Sequence, residues 1–539
     1  MNIYLKEKIG NPELFSGRQK ELNYLLKWAD SIKNELSKST ALLSRRKTGK
    51  SCLMQRIYNI LFEKNDKVIP FYFEIKESNQ WLRDFSRNYF LTFINQYLAF
   101  KTRNKSYIKL RKEFSHTLKV AQKENFEDIA GWIHDVENRF YNDSAENLWD
   151  MVIDAPRYIV EDSEDKVLQM IDEFQFINRY IFSDKERNDR IDNLAGSYLH
   201  TCEYKNAPLL VSGSWVGWLM DDLNKQLPGR FIKFPLGNMP ENESVETIFK
   251  YAQVYNVPVT EESVFLMAQL TEGNPFYIDG LFRSRYEDND FSTKQGILNT
   301  LEFETLRLDG SINSTWMDYL EAAFDKINDV HAKQIVIYLS KNRNRRVAHS
   351  EIREKLGLDM TDPELEKKLK ALYRSDIIEE DFGLYKGVGD NIFDKVFRRS
   401  YSNDIAKFIT EEAPNEYQEL IDKWEEKYRQ TKGELNLYKG KYLEFMVWNH
   451  LKNAHKNQEL YKNMLLGLPE EFVYDEYKQI LSYTAPPLNP VQFQIDVYAK
   501  PKLDGYALIG EVKNRSKDSP FTIDEARAFM KKAEELIEN

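Results

Sequence analysis

Cysteine and histidine are scarce in this chain of 539 residues. It contains two cysteines, Cys52 and Cys202, and seven scattered histidines. Two such distant cysteines cannot build a disulfide framework, and the sequence has neither a C-x-x-C pair nor a zinc-ligand spacing of histidines. The composition therefore argues against a disulfide-stabilised secreted domain and gives no indication of structural zinc.

Long apolar runs are missing as well. Hydrophobic residues make up 42% of the chain and charged residues 30%, and no stretch approaches the length needed to span a bilayer. The first residues, MNIYLKEKIGNPELF, show no basic region followed by an apolar core and a cleavage site, so no secretion signal is predicted. We expect a cytoplasmic protein without a membrane segment, long enough for three or four domains with separate cores.

The stretch STALLSRRKTGKSCLMQRI joins a short apolar strand, a tight turn and an amphipathic helix. The strand is predicted at Ala41–Leu43, and Gly49, Lys50 and Ser51 open the helix. This is the P-loop arrangement, in which backbone N–H groups hold phosphates, Lys50 neutralises them and the Ser51 hydroxyl ligates Mg²⁺. The pattern G-x-x-x-x-G-K-[ST] has a glycine where this chain has Ser44.

A second apolar run, VLQMIDEFQ, ends in two acidic residues. Val167–Ile171 predicts a strand that delivers Asp172 to Mg²⁺ and Glu173 to the water that attacks the nucleotide. A buried strand that ends in acidic residues is ordinary by itself, but the P-loop that precedes it favours the joint assignment. The sequence therefore predicts an ATPase with ATP and Mg²⁺ as cofactors.

Four shorter motifs accompany this pattern. FSGRQKELNYL precedes the P-loop, whereas APLLVSGSWVGWLM, LPGRFIKFPL and GNPFYIDGLF follow the acidic strand in that order. Together with the P-loop they resemble AAA+ and STAND ATPases, and within them the archaeal-type ATPase group. Members of that group often continue into a winged helix and a PD-(D/E)XK nuclease domain.

The resemblance implies roles for individual residues. Ser212 or Ser214 would sense the γ-phosphate, and Arg230 would act as an arginine finger. The alternatives are that Arg230 belongs to a solvated turn and that the GNP motif is only a helix breaker. The residues assigned to nucleotide binding are Gly17, Arg18, Arg46, Thr48, Gly49, Lys50, Ser51, Cys52, Ser212 and Pro275.

Residues 331–400 have the pattern of a winged helix. IVIYLSKN and HSEIREKLGL are predicted helices, DPELEKKLKALYRSDIIEED is a third helix that ends in an apolar strand, and FGLYKGVGDNIFDKVF is the predicted wing. The chain carries a net charge of −10, which argues against a surface that binds nucleic acid everywhere, but the basic runs Lys341–Arg346 and Arg398–Arg399 flank this segment. The third helix is nearly charge-balanced, so DNA binding and packing against protein are equal alternatives.

The segment QFQIDVYAKPKLDGYALIGEVKNR places Asp496 at the end of one apolar alternating run. Glu511 and Lys513 close the next run. Two carboxylates and an amine on adjacent strands suit a metal-dependent phosphodiesterase, because hard oxygen ligands hold Mg²⁺ and the metal favours hydroxide formation beside a phosphate. The charged face of an ordinary hairpin is the alternative.

This segment resembles the core of PD-(D/E)XK nucleases, with Asp496, Glu511 and Lys513 at the D, E and K of the motif. The resemblance implies Mg²⁺ or Mn²⁺ held by Asp496 and Glu511, with Glu444 as a further acidic residue on the preceding helix. The apolar stripe predicted on that helix consists of Leu443, Met446, Val447 and Leu451. The superfamily core has one more strand after the helix TIDEARAFMKKAEELIEN. Three alternatives account for this strand: it is dispensable, a partner supplies it, or it lies outside the given sequence.

These patterns predict an α/β chain with several domains. We expect an ATP-regulated, Mg²⁺-dependent nuclease that acts on nucleic acid, chiefly DNA, as a homo-oligomer or with a partner subunit. The resemblance associates it with prokaryotic defence or mobile elements. The alternative is a signalling or scaffolding ATPase whose inactive nuclease fold only binds. The predicted domains are a P-loop ATPase core (1–240, with a helical insertion at about 80–165), a helical lid (241–330), a winged helix-like domain (331–400), a helical connector (401–435) and a nuclease-like domain (436–539).

Overall fold

The computed structural model places the chain in two compact units, Met1–Glu412 and Ala413–Asn539. It describes residues 2–286, 290–324, 330–401, 426, 429–430, 443–444, 446–463, 467–469, 471–485, 493–513, 515 and 521–538. The segments predicted as ATPase core, lid and winged helix-like domain belong to the first unit. Nearly all of the predicted connector, 401–435, lies outside the described residues.

A five-stranded parallel sheet forms the centre of the first unit. The strands of this unit are β1 (Thr40–Leu43), β2 (Val68–Glu74), β3 (Gln80–Trp81), β4 (Lys166–Asp172), β5 (Ile181–Phe182), β6 (Leu209–Gly213), β7 (Ile232–Pro235), β8 (Val347–Ala348), β9 (Ile378–Asp381) and β10 (Leu384–Gly387). The sheet order is β2, β4, β6, β1 and β7. Its central strands are buried on both faces, which explains why they appear in the sequence as continuous apolar runs.

Helices cover the sheet and continue beyond it. They are α1 (Gln19–Asp30), α2 (Lys50–Lys64), α3 (Leu82–Thr102), α4 (Phe114–Lys123), α5 (Glu127–Asn142), α6 (Ala145–Ile153), α7 (Ala155–Tyr158), α8 (Tyr198–Thr201), α9 (Val216–Gln226), α10 (Glu241–Tyr255), α11 (Glu261–Leu270), α12 (Pro275–Phe282), α13 (Lys294–Leu306), α14 (Ser311–Phe324), α15 (Val330–Lys341), α16 (His349–Leu356), α17 (Asp362–Arg374) and α18 (Asn391–Ser400). Short 3₁₀ helices occur at Pro12–Leu14, Ser31–Asn34, Lys105–Lys109, Phe174–Phe176 and Leu194–Ser197. Among the described residues, no helix is long and apolar enough to cross a membrane.

Helices α3 to α7 lie between β2 and β4, where the sequence predicts a helical insertion. The aromatic stripe of α3 packs against β2, with the rings of Phe71 and Phe93 centred 5.2 Å apart. Phe85, Tyr89 and Phe93 are buried in the same core as the sheet. The stripe is therefore core, and α3 covers the sheet directly.

A three-stranded antiparallel sheet, in the order β8, β10 and β9, lies among α15 to α18. The predicted helices and the start of the wing are present, but the second half of the predicted wing is helix α18. The Asp390 side chain caps this helix by accepting a hydrogen bond from the Phe393 N–H at 2.8 Å. Ile392, Phe393, Val396 and Phe397 then form its buried face. The winged-helix assignment itself stays a prediction.

The turn that joins β9 to β10 has two residues in the left-handed region. Phe382 has a φ of 52° and Gly383 a φ of 77°. Two left-handed residues are typical of a type I′ turn, which strongly prefers Asn or Gly at the first of them. The Phe382 side chain is 95% exposed, so burial does not offset the cost of its backbone conformation.

We expect Phe382→Asn to raise the free energy of unfolding of the first unit by about 0.5 to 1 kcal/mol, because Asn adopts the left-handed region more readily. Denaturant unfolding would measure the change. Tyr141→Asn is the matched control, since Tyr141 is 70% exposed and lies in a helix. A Phe382→Asn variant less stable than the wild type would contradict the explanation.

The second unit contains a three-stranded antiparallel sheet in the order β11, β12, β13. Its elements are β11 (Tyr477–Thr484), β12 (Gln494–Pro501), β13 (Leu508–Gly510), the helical residues 446–454, α19 (Gln458–Lys462) and α20 (Ile523–Glu538). Val497 and Ala499 alternate into a small core with Leu451, Ala454 and Tyr474.

Two details of this unit differ from the sequence analysis. Asp496 is the third residue of β12 and does not end its strand, because the alternation of buried residues continues to Ala499. Met446 is 46% exposed, whereas Val447, Trp448 and Leu451 pack toward the core. Val447 and Leu451 of the predicted stripe therefore belong to the buried face, and Trp448 occupies the place predicted for Met446.

Candidate functional site

The loop between β1 and α2 has the geometry that the P-loop pattern predicts. Gly49 has a φ of 90° and directly precedes Lys50, the first residue of α2. A left-handed residue at this point favours glycine. The first N–H groups of α2 have no partner within the helix, so they face the loop as donors for an anion.

Lys50 is buried behind this loop. Its Nζ donates hydrogen bonds to the carbonyl oxygens of Ser44 at 2.7 Å and of Arg45 at 2.6 Å. Burial lowers the pKa of Lys50 to about 8, against the opposing effect of the carboxylates of Glu173 and Asp172. Phosphate oxygens are stronger acceptors for an ammonium than these carbonyls, so a bound nucleotide would compete for Nζ.

Ser44 replaces the first glycine of the P-loop pattern without distorting the loop. It is not among the residues with positive φ, so its backbone does not require glycine. Its hydroxyl makes a short hydrogen bond with the Thr48 hydroxyl, which also donates to the Arg45 carbonyl at 2.9 Å. The Ser44 hydroxyl therefore links the first part of the loop to Thr48.

Asp172, the last residue of β4, is completely buried. Its Oδ2 accepts a hydrogen bond from the Tyr72 hydroxyl at 2.8 Å, and its Oδ1 accepts a short one from the Ser212 hydroxyl. The Lys8 ammonium lies 3.9 Å from Oδ2. These partners fix a carboxylate that fits a Mg²⁺ ligand.

Glu173 follows with a φ of 56°, a conformation that non-glycine residues seldom adopt. Its Oε2 accepts hydrogen bonds from the Ser214 N–H at 3.2 Å, the Ser214 hydroxyl at 2.7 Å and Gln175 Nε2 at 2.6 Å. Ser214 follows β6, which lies between β4 and β1 in the sheet. The sheet order thus places Ser214 between the acidic residues and the P-loop.

One cavity of about 550 Å³ brings most of the predicted nucleotide site together. This volume falls within the range of small-molecule sites. Predicted residues that line it are Arg18, Arg46, Thr48, Gly49, Lys50, Ser51, Cys52, Glu173, Ser214 and Pro275. Gly17, Asp172, Ser212 and Arg230 do not line it. Asp172 and Ser212 are both completely buried.

The residues before α1 brace the P-loop. The Arg18 guanidinium donates to the Thr48 carbonyl at 2.9 Å, and the Arg18 N–H donates to Glu243 Oε2 at 2.6 Å. Gly17 has a φ of 69°, and a Cβ there would lie 2.7 Å from Met239 Sδ. Arg18 therefore holds the loop through its guanidinium, and Gly17 allows the close approach of the Met239 side chain, which precedes α10.

Arg230 lies between α9 and β7, away from the cavity. Its Nε is 2.8 Å from Glu203 Oε1 in a partly exposed ion pair. Within one chain Arg230 does not reach the candidate nucleotide site. Its role as an arginine finger for a neighbouring subunit stays a prediction.

The two P-loop arginines have partners that the sequence does not predict. Arg45 lies 3.3 Å from Asp390 Oδ2, and Tyr277 donates to both oxygens of the same carboxylate at 2.9 and 2.8 Å. Arg46 packs between two aromatic rings. The adjacent arginines are visible in the sequence, but Asp390 is 345 positions away and nothing local indicates the pairing.

In the second unit, Asp496 and Glu511 lie on neighbouring strand segments. Asp496 Oδ2 accepts a hydrogen bond from the Val512 N–H at 2.9 Å. Glu511 Oε1 lies 3.1 Å from Lys513 Nζ and 2.8 Å from Lys532 Nζ. Burial raises the pKa of Glu511, but the two lysines outweigh it and hold the pKa below its ordinary value.

The side chains of Asp496 and Glu511 fit in part the Mg²⁺ that the nuclease resemblance implies. Glu511 Oε2 is buried and has no hydrogen-bond partner, as expected for an oxygen directed at a cation. In the described part of the chain, however, no group of three or more His, Cys, Asp or Glu side chains could hold a metal ion. Glu444 is therefore not brought into one cluster with Asp496 and Glu511, whose two carboxylates fit Mg²⁺ with water completing the shell.

The basic run Lys341–Arg346 is partly neutralised. Arg345 pairs with Glu351, and Arg346 makes a short ion pair with Asp381 at the start of the β9–β10 turn. Two cations of the run thus have carboxylate partners. This arrangement leaves both predicted alternatives for residues 331–400 open.

Comparisons with known proteins give structural similarity only. No protein-family model matches the chain, and no curated protein matches it. A Walker-type ATPase of Pyrococcus abyssi matches with 17% identity and a TM-score of 0.49, over 74% of this chain and 100% of that one. The ORC2 protein of Aeropyrum pernix matches with 12% identity and a TM-score of 0.39, over 72% and 94%. The RuvB branch migration motor of Thermotoga maritima matches with 12% and 0.32, over 76% and 99%.

These similarities assign no role to any residue. The chain's own geometry fits a P-loop ATPase fold. It has a parallel sheet flanked by helices, a P-loop between β1 and α2, and an acidic pair at the end of β4.

Proposed function

We propose that the first unit binds and hydrolyses ATP. The observation that carries this proposal is that one cavity is lined both by Lys50 and Ser51 at the start of α2 and by Glu173 after β4. The N–H groups of α2 and Lys50 bind the phosphates. Ser51, which lines the cavity, and Asp172, which is buried beside Ser212, would hold Mg²⁺, and the ion would supply charge neutralisation at the phosphates.

Glu173 is the general base in this proposal. Its carboxylate takes a proton from water, whose oxygen forms a bond to the γ-phosphorus while the bond from that phosphorus to the bridging oxygen breaks. Ser214 and Gln175 orient the carboxylate through their hydrogen bonds to Oε2. The products are ADP and inorganic phosphate.

We further propose that the second unit cleaves phosphodiester bonds of DNA under control of the nucleotide. The neighbouring carboxylates of Asp496 and Glu511, with one buried Glu511 oxygen lacking a partner, support a metal ligand pair. Lys513, beside Glu511, would stabilise the attacking hydroxide. A role in prokaryotic defence or mobile-element biology follows from the resemblance alone.

One observation favours the scaffold alternative. Lys513 and Lys532 both contact Glu511 Oε1 and neutralise the charge that a metal requires. In the described residues no third carboxylate joins the pair. A unit of this kind could bind nucleic acid or protein without cutting it.

Purified wild-type protein with supercoiled plasmid, linear duplex and single-stranded DNA tests both proposals. We expect phosphate release that requires ATP and Mg²⁺, and DNA cleavage that requires Mg²⁺ or Mn²⁺ and changes between ATP and ADP. EDTA is the control for metal dependence. ATP hydrolysis without cleavage of any substrate would support the scaffold, whereas absence of ATP binding would contradict the first proposal.

A further inference from the structure

Arg46, in the P-loop, occupies an aromatic cage formed by Trp215 and Tyr319. Its guanidinium carbon lies 5.0 Å from the ring centre of Trp215 and 4.9 Å from that of Tyr319. The two rings are 5.8 Å apart at an interplanar angle of 75°. Trp215 follows β6, and Tyr319 belongs to α14, so the cage joins the parallel sheet to the helices beyond it.

The donors of Arg46 are unused. A guanidinium carries five N–H donors, yet among the described residues Arg46 makes no hydrogen bond, and its nearest carboxylate oxygen, on Glu77, is 3.7 Å away. The neighbouring Arg45, by contrast, donates to Asp390 and to the Asp376 carbonyl. Because Arg46 lines the cavity, its donors are available there to an anionic ligand.

Arg46 also lines the cavity near the residues that would surround the terminal phosphate of a nucleotide. Glu173, Ser214 and Lys50 line the same cavity. A nucleotide held at the start of α2 has its terminal phosphate between Lys50 and Glu173. Arg46 is therefore a second cation beside the position of that phosphate.

We propose that Arg46 distinguishes nucleoside triphosphate from diphosphate by exchanging the aromatic cage for the γ-phosphate; this inference rests on the proposed ATP binding. Charge-assisted hydrogen bonds from a guanidinium to phosphate are stronger than a cation–π contact, so a γ-phosphate draws Arg46 out of the cage. Without a γ-phosphate, as with ADP, Arg46 stays between the rings.

The two aromatic residues of the cage contact Ser375 and Asp376, either directly or through a chain neighbour. The Tyr319 hydroxyl makes a short hydrogen bond to the Ser375 carbonyl. The adjacent Asp376 carboxylate accepts from the N–H groups of Val216 at 2.9 Å and Gly217 at 3.2 Å, directly after the other cage residue. When Arg46 leaves, Trp215 and Tyr319 lose the cation between them. Both rings adjoin the hydrogen bonds that hold the turn before β9 against α9.

Calorimetric titration with AMPPNP and with ADP, both with Mg²⁺, tests the exchange. Arg46→Gln is expected to weaken AMPPNP binding about tenfold or more and ADP binding less than about twofold. Tyr319→Leu removes one cage wall, so it is expected to strengthen AMPPNP binding about threefold or more without strengthening ADP binding. In the double variant the gain from Tyr319→Leu should disappear, because both changes act on one guanidinium.

Arg179→Gln is the matched control. Arg179 packs on the ring of Trp218 at 3.4 Å but does not line the cavity, so its loss should leave the preference between the two nucleotides unchanged. Thermal unfolding of each variant checks the fold, and Arg46→Lys, expected to give a smaller loss, replaces Arg46→Gln if that variant does not fold.

Two outcomes overturn the inference. If Arg46→Gln weakens both nucleotides equally, or neither, Arg46 does not distinguish them. If Tyr319→Leu strengthens AMPPNP binding equally in the Arg46→Gln background, the cage does not compete for Arg46. If the wild-type protein binds ADP and AMPPNP, these outcomes concern Arg46 alone. If the wild-type protein binds neither nucleotide, the proposed function itself fails.

Discussion

Lys50→Ala is expected to abolish ATP binding, with a loss of affinity of about 100-fold or more. The variant removes the ammonium that would meet the β- and γ-phosphates, and it leaves the buried carbonyls of Ser44 and Arg45 without their donor. Calorimetric titration with ATP and Mg²⁺ measures the effect. Lys64→Ala is the matched control, because Lys64 lies at the exposed opposite end of α2, 2.8 Å from Asp30.

Glu173→Gln separates binding from hydrolysis at the same site. The amide keeps the size of the side chain but cannot accept a proton from water, so ATP affinity is expected to stay within about twofold while turnover falls about 100-fold or more. Phosphate release under saturating ATP measures turnover. Hydrolysis at the wild-type rate would show that Glu173 is not the base, and unchanged affinity of Lys50→Ala would show that ATP does not bind at this loop.

The second large effect concerns DNA cleavage. Asp496→Asn and Glu511→Gln are each expected to reduce metal-dependent cleavage about 100-fold or more, because one remaining carboxylate holds a strongly hydrated Mg²⁺ poorly. ATP hydrolysis should be unchanged, since these residues belong to a unit with its own core. Plasmid nicking in Mg²⁺ and Mn²⁺ measures cleavage.

Controls separate loss of metal from loss of fold in this second experiment. Asp504→Asn, in the exposed loop between β12 and β13, should cut like the wild type. Lys513→Ala should still bind Mn²⁺ but cut poorly. Glu511→Gln also removes the counter-charge of Lys513 and Lys532, so its thermal stability must be compared. Variants at Asp496 and Glu511 that cut as well as the wild type would contradict the nuclease proposal and favour the scaffold.

The P-loop was predictable because its parts are neighbours in the chain. A strand that runs into Gly49 and then into α2 places Lys50 and Ser51 at a helix N-terminus whatever the rest of the fold is. The acidic pair was predictable for the same reason, since a buried strand delivers its last residues to the sheet edge. The helical phase around Met446 and the extent of β12 were less certain, because a short apolar pattern fits more than one boundary.

The sequence alone determined which residues are candidates for phosphate, metal and acid–base chemistry, because the P-loop and the acidic pair after β4 are each contained in one local segment. Only the tertiary structure decided which sets meet. The order of β4, β6 and β1 brings Ser214 to Glu173, and the packing of α14 and α18 brings Tyr319 and Asp390 to the P-loop arginines. Such contacts, between residues 41 to 345 positions apart, depend on how buried surfaces pack together, and a linear pattern contains no signal for that.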